Sequence, residues 1–127
     1  MLAEWEILAK NHAAGGFHQS FNWAKFQQTQ GWESYKIGLF DAKTDKLVGG
    51  AITLEFSFSN GTSFLYIPEG PIINYANEEE LFWQWKALEM AIHSIIKISK
   101  KEKTTHVRIE PRITNCPAWF LSKFQKA

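Results

Sequence analysis

Residues 47–68, Leu-Val-Gly-Gly-Ala-Ile-Thr-Leu-Glu-Phe-Ser-Phe-Ser-Asn-Gly-Thr-Ser-Phe-Leu-Tyr-Ile-Pro, decide the fold. Two β-rich runs, Leu47–Phe58 and Ser63–Pro68, flank Asn60-Gly61, the dipeptide that most readily takes the positive backbone angles of a tight hairpin turn. The pair therefore predicts antiparallel strands. Inside the first run, Gly49-Gly50 predicts a bulge or a close backbone approach, because glycine otherwise weakens a strand. Upstream, Tyr35, Ile37 and Leu39 alternate over Ser34–Phe40, which predicts another strand. Asp41–Lys46 holds the turn formers Asp41, Thr44 and Asp45 between the two. The result is an antiparallel meander.

Helical signals surround it. Residues 3–11 predict a short helix with Trp5, Leu8 and Ala9 near one face, broken by Gly15-Gly16. Ser20 predicts an N-cap for a helix through Gln30, stopped by Gly31, with Trp23 and Phe26 facing inward. Pro68 and Pro71 end the sheet run, and Asn77 caps a long helix. That helix has Glu78, Glu79 and Glu80 at its start and Lys97, Lys100, Lys101 and Lys103 at and beyond its end. This polarity complements the helix dipole, at about 0.3–1 kcal/mol per well-placed charge. Leu81, Trp85, Leu88, Ile92 and Ile95 or Ile96 form its apolar stripe. Thr105–Glu110 is a last strand, closed by Pro111; a strand reached through a helix implies a crossover, parallel to its neighbour. A final helical piece begins near Pro117 and carries Phe120, Leu121 and Phe124. The expected fold class is α/β with a mixed sheet, a meander plus a helix-crossover strand, as one domain over residues 1–127.

Composition excludes several function classes. At 127 residues, 45% apolar and 21% charged, the chain is long enough for one cored domain. A net charge of +1 argues against general affinity for nucleic acid or an anionic membrane as the main role. The lone Cys116 points to a reducing compartment, and no apolar run has membrane-spanning length. The opening Met-Leu-Ala-Glu-Trp-Glu lacks the basic leader of a signal peptide, so the expected location is cytoplasmic. His12, His18, His93 and His106 have no metal-ligand spacing, and no His-Glu-x-x-His, Gly-x-Ser-x-Gly or Gly-x-Gly pattern occurs. No metal and no cofactor are expected. Cys116 reads as a structural thiol, Glu78–Glu80 as helix-start electrostatics, Lys97–Lys103 as a solvated helix end, and Trp23, Trp32 and Tyr66 as core. One segment does suit a ligand: the proline-framed turn Tyr66-Ile-Pro-Glu-Gly-Pro71, followed by Ile72, Ile73, Asn74 and Tyr75. A rigid turn after a strand loses little entropy on binding.

Phe17-His-Gln-Ser-Phe-Asn-Trp23, Gly31-Trp32, Leu47-Val-Gly-Gly-Ala51, Tyr66-Ile-Pro-Glu-Gly-Pro71 and Val107-Arg-Ile-Glu-Pro111 occur in the order seen in FemABX proteins, and the chain resembles that family over nearly its whole length. The resemblance implies a GNAT-like domain, the first of the two that a full-length member carries in tandem. It implies tRNA-dependent aminoacyl transfer: an amino acid leaves its tRNA ester and joins the side-chain amine of a stem peptide in a peptidoglycan precursor. Such chemistry needs a neutral amine as nucleophile and a donor for the developing oxyanion.

Carried over position by position, the resemblance implies substrate contacts at Lys25, Gln27, Asn74 and Tyr75, and it assigns no catalytic residue. Relatives commonly place a lysine where Gln27 stands, a basic residue at Glu69 and an aspartate at Asn74. The implied partners are a UDP-linked or lipid-linked muropeptide and, only with a second domain, aminoacyl-tRNA. The alternative is a non-catalytic GNAT-like domain that binds the cell-wall precursor or a protein. An acetyl-CoA-dependent acyltransferase is disfavoured, because the glycine-rich pyrophosphate cradle is missing. Phe120, Leu121 and Phe124 share one helical face, which predicts self-association or docking to a second domain.

Overall fold

The computed structural model describes residues 2–12, 16–98, 103–113 and 116–124. The elements are α1 (Leu2–Asn11), a 3-10 turn (Phe17–Gln19), α2 (Phe21–Thr29), β1 (Glu33–Phe40), β2 (Leu47–Ser57), β3 (Thr62–Pro68), α3 (Glu78–Ile98), β4 (Lys103–Glu110) and α4 (Ala118–Leu121). The strands lie in the order β1-β2-β3-β4. The first two pairings are antiparallel, and β4 joins β3 in parallel after the α3 crossover. The meander and crossover are therefore as the sequence predicts.

Strand alternation splits the apolar side chains between two helical layers. Ile52 and Leu54 of β2 pack with Trp5, Ala9 and Ala24 of α1 and α2. Ala51, Leu65 and Ile67 pack with Leu81, Trp85, Leu88, Ile92 and Ile95 of α3 and with Phe120 of α4. The hairpin closes where Phe58 N–H donates to the Thr62 carbonyl at 2.7 Å, with Gly61 at φ +83°. Gly50 takes φ +147° and exchanges two 2.8 Å backbone hydrogen bonds with Ile72. A Cβ there would strike the Ile37 carbonyl, and one at Gly49 would lie 2.6 Å from the Ile72 carbonyl oxygen. The glycine pair thus marks a close backbone approach.

Caps set both helix starts. Ser20 Oγ accepts from Trp23 N–H at 3.1 Å, and Asn77 Oδ1 accepts from Glu80 N–H at 3.0 Å.

The structure corrects three expectations. In α2 the buried residue is the small Ala24, whereas Trp23 is half-buried and Phe26 is 52% exposed. Helix α2 has only nine residues and meets the sheet through a methyl group, so its large rings hang at the rim. Strand β4 begins at Lys103, earlier than predicted, because Lys103 N–H reaches back to the Gly61 carbonyl at 2.9 Å. The α4 face is divided: Phe120 is 2% exposed with its ring on Tyr75 and Trp85, Phe124 packs on Trp85, and Leu121 alone points outward. Residues Gly15, Lys100 and Lys101 lie outside the described residues.

Candidate functional site

A buried amide builds the site's foundation. Gln19, 0% exposed, ends the 3-10 turn and inserts its side chain between two strands. Its Nε2 donates to the Pro68 carbonyl at 2.7 Å and the Ile52 carbonyl at 3.2 Å, and its Oε1 accepts from Ile52 N–H at 2.8 Å. Its own carbonyl accepts the Trp5 indole N–H at 2.6 Å. This clamp lays the 3-10 turn across the end of β3, so His18 comes to rest beside Glu69.

Glu69 holds a left-handed backbone at φ +53°, followed by Gly70 and a cis bond to Pro71. A Cβ on Gly70 would come within 2.8 Å of the Gln19 amide carbon, so the turn and the clamp are packed as one piece. Glu69 contacts His18 Nδ1 through one carboxylate oxygen and Arg112 Nε, at 3.5 Å, through the other. The His18 ring stands edge-on to Trp23, with centroids 4.6 Å apart.

Opposite this group, the Tyr66 hydroxyl donates to Glu110, and Arg108 Nη2 donates to the second Glu110 oxygen at 2.9 Å. Tyr66 lies 6.2 Å from Trp32, centroid to centroid. Burial, reinforced by the hydrogen bond to Glu110, pushes the Tyr66 phenol up to about 12. The same hydrogen bond, aided by Arg108, holds the Glu110 carboxyl below the ordinary range. At neutral pH this wall presents a neutral phenol donating to a carboxylate. Such a pair orients a ligand; a phenol held protonated and a carboxylate held ionised are poorly placed to exchange protons near pH 7.

These side chains enclose a cavity of about 240 Å³, lined by His18, Trp23, Gln27, Trp32, Leu54, Tyr66, Pro68, Glu69 and Glu110. Aromatic faces and fixed polar atoms together suit a polar ligand with apolar ring faces. A larger open groove of about 1140 Å³ runs between α3 and β1, with Asn74, Leu39, Trp83 and Ala87 among its lining residues.

The four predicted contact residues do not come together. Gln27 lines the small cavity, while Lys25 sits on the exposed side of α2. Asn74 borders the larger groove, where its N–H donates to Gln84 Oε1 at 2.7 Å and its Nδ2 to Glu80 Oε2 at 2.5 Å. Tyr75 is a core residue: its ring packs on Phe120 and its hydroxyl donates to the Pro71 carbonyl at 2.8 Å. Sequence reading missed His18, Glu69 and Glu110 as site residues and placed Trp23, Trp32 and Tyr66 in the core, although all three rings are only half-buried. The available signal was their membership in separate motifs of one ordered set.

Residues 3–118 match the FemAB family model. The lipid II:glycine glycyltransferase of Staphylococcus aureus (strain COL) is 28% identical over 112 residues, covering 87% of this chain and 24% of that protein. A solved structure described as the crystal structure of FemX superposes with a TM-score of 0.68 at 24% identity, over 89% of this chain and 26% of the other, a likeness of fold. The chain therefore spans about a quarter of the length of each of these relatives.

Proposed function

The chain belongs to the FemAB family, and from that premise we propose that it is the precursor-holding domain of an aminoacyltransferase of peptidoglycan bridge synthesis. On this reading it is the first of two GNAT-like domains and grips a lipid II-type muropeptide. The aminoacyl-tRNA is received by the remainder of the transferase. One observation carries the reading. Four of the five family motifs, at 17–23, 31–32, 66–71 and 107–111, lie apart in the chain, yet they supply every residue lining the small cavity except Gln27 and Leu54; the fifth, at 47–51, lines none of it.

The roles follow from the chemistry of the walls. Trp23 and Trp32 offer ring faces to the apolar side of a sugar or peptide. His18, Tyr66 and the two carboxylates fix polar groups, each already oriented by a partner, so binding orders few side chains. The lysine that relatives commonly carry at position 27 suits the precursor's diphosphate, and on this reading Gln27, in the cavity wall, contributes amide donors in place of that cation. Lys25, two residues away along the helix, is turned by about 200° and takes no part.

Gln27→Lys tests this arrangement. A charge-assisted hydrogen bond is roughly twice as strong as a neutral one, so the variant is expected to bind a diphosphate-linked muropeptide about tenfold more tightly. Isothermal titration calorimetry measures it, with an unchanged melting temperature as the control for folding. Unchanged or weaker affinity in a well-folded variant would remove the diphosphate from this cavity.

A further inference from the structure

We propose that the open edge of β1, with the groove between β1 and α3, docks an extended polypeptide segment that carries lysine or arginine. This goes beyond the transferase reading and does not rest on it. In the order β1-β2-β3-β4, β1 is an edge strand. Which of its backbone groups face outward follows from how β2 uses its own. Gly50 exchanges both of its backbone hydrogen bonds with Ile72, and Ile52 spends its N–H and carbonyl on the Gln19 amide. Their partners across the ladder, Gly38 and Lys36, therefore sit in non-hydrogen-bonded pairs and turn N–H and C=O to the open side. Ser34, two residues earlier, has the same phase. Among the described residues, none bonds the backbone of Ser34, Lys36 or Gly38 from that side. The eight residues of β1 include no proline and one lysine, and the bulge falls at the far end, between Leu39 and Phe40. The edge is therefore open to pairing.

The groove supplies the specificity. Strand alternation puts Ile37 and Leu39 on the α3 side of the sheet, where the groove of about 1140 Å³ opens. Its α3 wall carries Trp83, Ala87 and Ala91 at four-residue spacing, so two methyl groups leave depth that larger side chains would fill. Trp83 is 65% exposed. A strand added to β1 points every second side chain into this groove. Aliphatic side chains suit the wall of Trp83 and the alanines. Charge identifies the rest of the occupant. Asp41, just past β1, and Glu79 and Glu80, at the start of α3, line the groove, and among the described lining residues there is no lysine or arginine. Lys43, in the turn after β1, acts on Asp41 without lining the groove. A cationic side chain on the added strand meets these carboxylates, whereas nucleic acid and anionic lipid are repelled by them. A second copy of the chain fits less well. Antiparallel pairing of two β1 edges sets the Asp41 end of one beside Glu33 of the other, acid on acid.

A synthetic peptide matching the eight residues of β1 in length tests the proposal with the full chain. It has threonine at every second position and, between the threonines, two lysines followed by two valines; the same peptide is made in reverse order. One of the two orders is expected to bind saturably and to slow hydrogen exchange at the Lys36 and Gly38 amides about tenfold or more. The same peptide N-methylated on its β1-facing amides is expected not to bind. Glu79→Gln with Glu80→Gln, and separately Ala87→Leu, are each expected to weaken binding about fivefold to tenfold. Circular dichroism melting curves matching the parent chain establish that these exposed substitutions leave the fold intact. No binding of either order up to about 1 mM, undiminished binding of the N-methylated peptide, equal binding of a peptide with glutamates for its lysines, or insensitivity to both variants overturns the proposal. So does concentration-dependent protection of Lys36 and Gly38 without peptide, which would make a second copy the occupant.

Discussion

Replacing Gln19 with alanine is expected to lower the unfolding free energy by about 3–5 kcal/mol, because it strips partners from buried backbone groups that cost about 1–3 kcal/mol each when orphaned. The amide binds the Ile52 N–H, the Ile52 carbonyl and the Pro68 carbonyl, and it is itself 0% exposed. Gln19→Leu, which keeps much of the volume, is expected to fare little better, since the three groups stay unpaired while the side chain changes shape. Urea unfolding followed by tryptophan fluorescence measures both variants. A loss under about 1 kcal/mol would mean that water replaces the amide, in which case the 3-10 turn is not clamped to the sheet. Because the same clamp sets His18 beside Glu69, the destabilised variant is also expected to lose the His18–Glu69 contact.

Phe120→Ala is the second large effect, expected to cost about 3–5 kcal/mol for loss of a buried phenylalanine and the cavity left behind. Phe120 touches Tyr75, Trp85 and Phe124, so the vacated volume lies between α3 and the turn after β3. Leu121→Ser, one residue along and 59% exposed, is expected to change stability by no more than about 0.5 kcal/mol. If α4 were instead an association surface, Phe120→Ala would shift a dimer toward monomer in light scattering and leave the urea midpoint of the monomer unchanged.

The contrast between these neighbours shows where sequence reading succeeds. The hairpin at Asn60-Gly61, the cap at Ser20 and the cap at Asn77 each rest on local chemistry that acts within a few residues, while the parallel return of β4 follows from the general handedness and geometry of a strand–helix–strand crossover. The glycine pair at 49–50 is legible for another reason: glycine in a strand signals a close approach, although the backbone that approaches, at Ile72 and Ile37, comes from other segments. The α4 face is not local. Phe120, Leu121 and Phe124 share a face by helical spacing, but which of them turns inward depends on Trp85 and Tyr75, supplied by distant segments.

The site was legible as a set of motifs and illegible as a place. Trp23, Trp32 and Tyr66 have the spacing and size of core residues; the short, alanine-faced α2 leaves Trp23 at a rim, and Trp32 and Tyr66 are half-buried beside it. The pairing of His18 with Glu69 depends on a 3-10 turn of three residues, too brief for any periodicity, and on a left-handed Glu69 that propensity disfavours. Tyr75 was the converse case: adjacent to a departing motif position, it reads as a ligand contact until its hydroxyl is seen bonded to Pro71 in the core.

The most direct measurement is an amide and indole shift titration of the isotope-labelled chain with a diphosphate-linked muropeptide. The six tryptophans make the readout specific. If the small cavity holds the precursor, the indole signals of Trp23 and Trp32 and the amides of Gln27, Tyr66 and Glu69 shift together with one saturation curve. The Trp5 indole, bonded to the Gln19 carbonyl, and the buried Trp85 stay in place. Shifts confined to Trp83 and the α3–β1 groove, or to Lys97 and Lys103, would contradict the assignment of this cavity to the precursor.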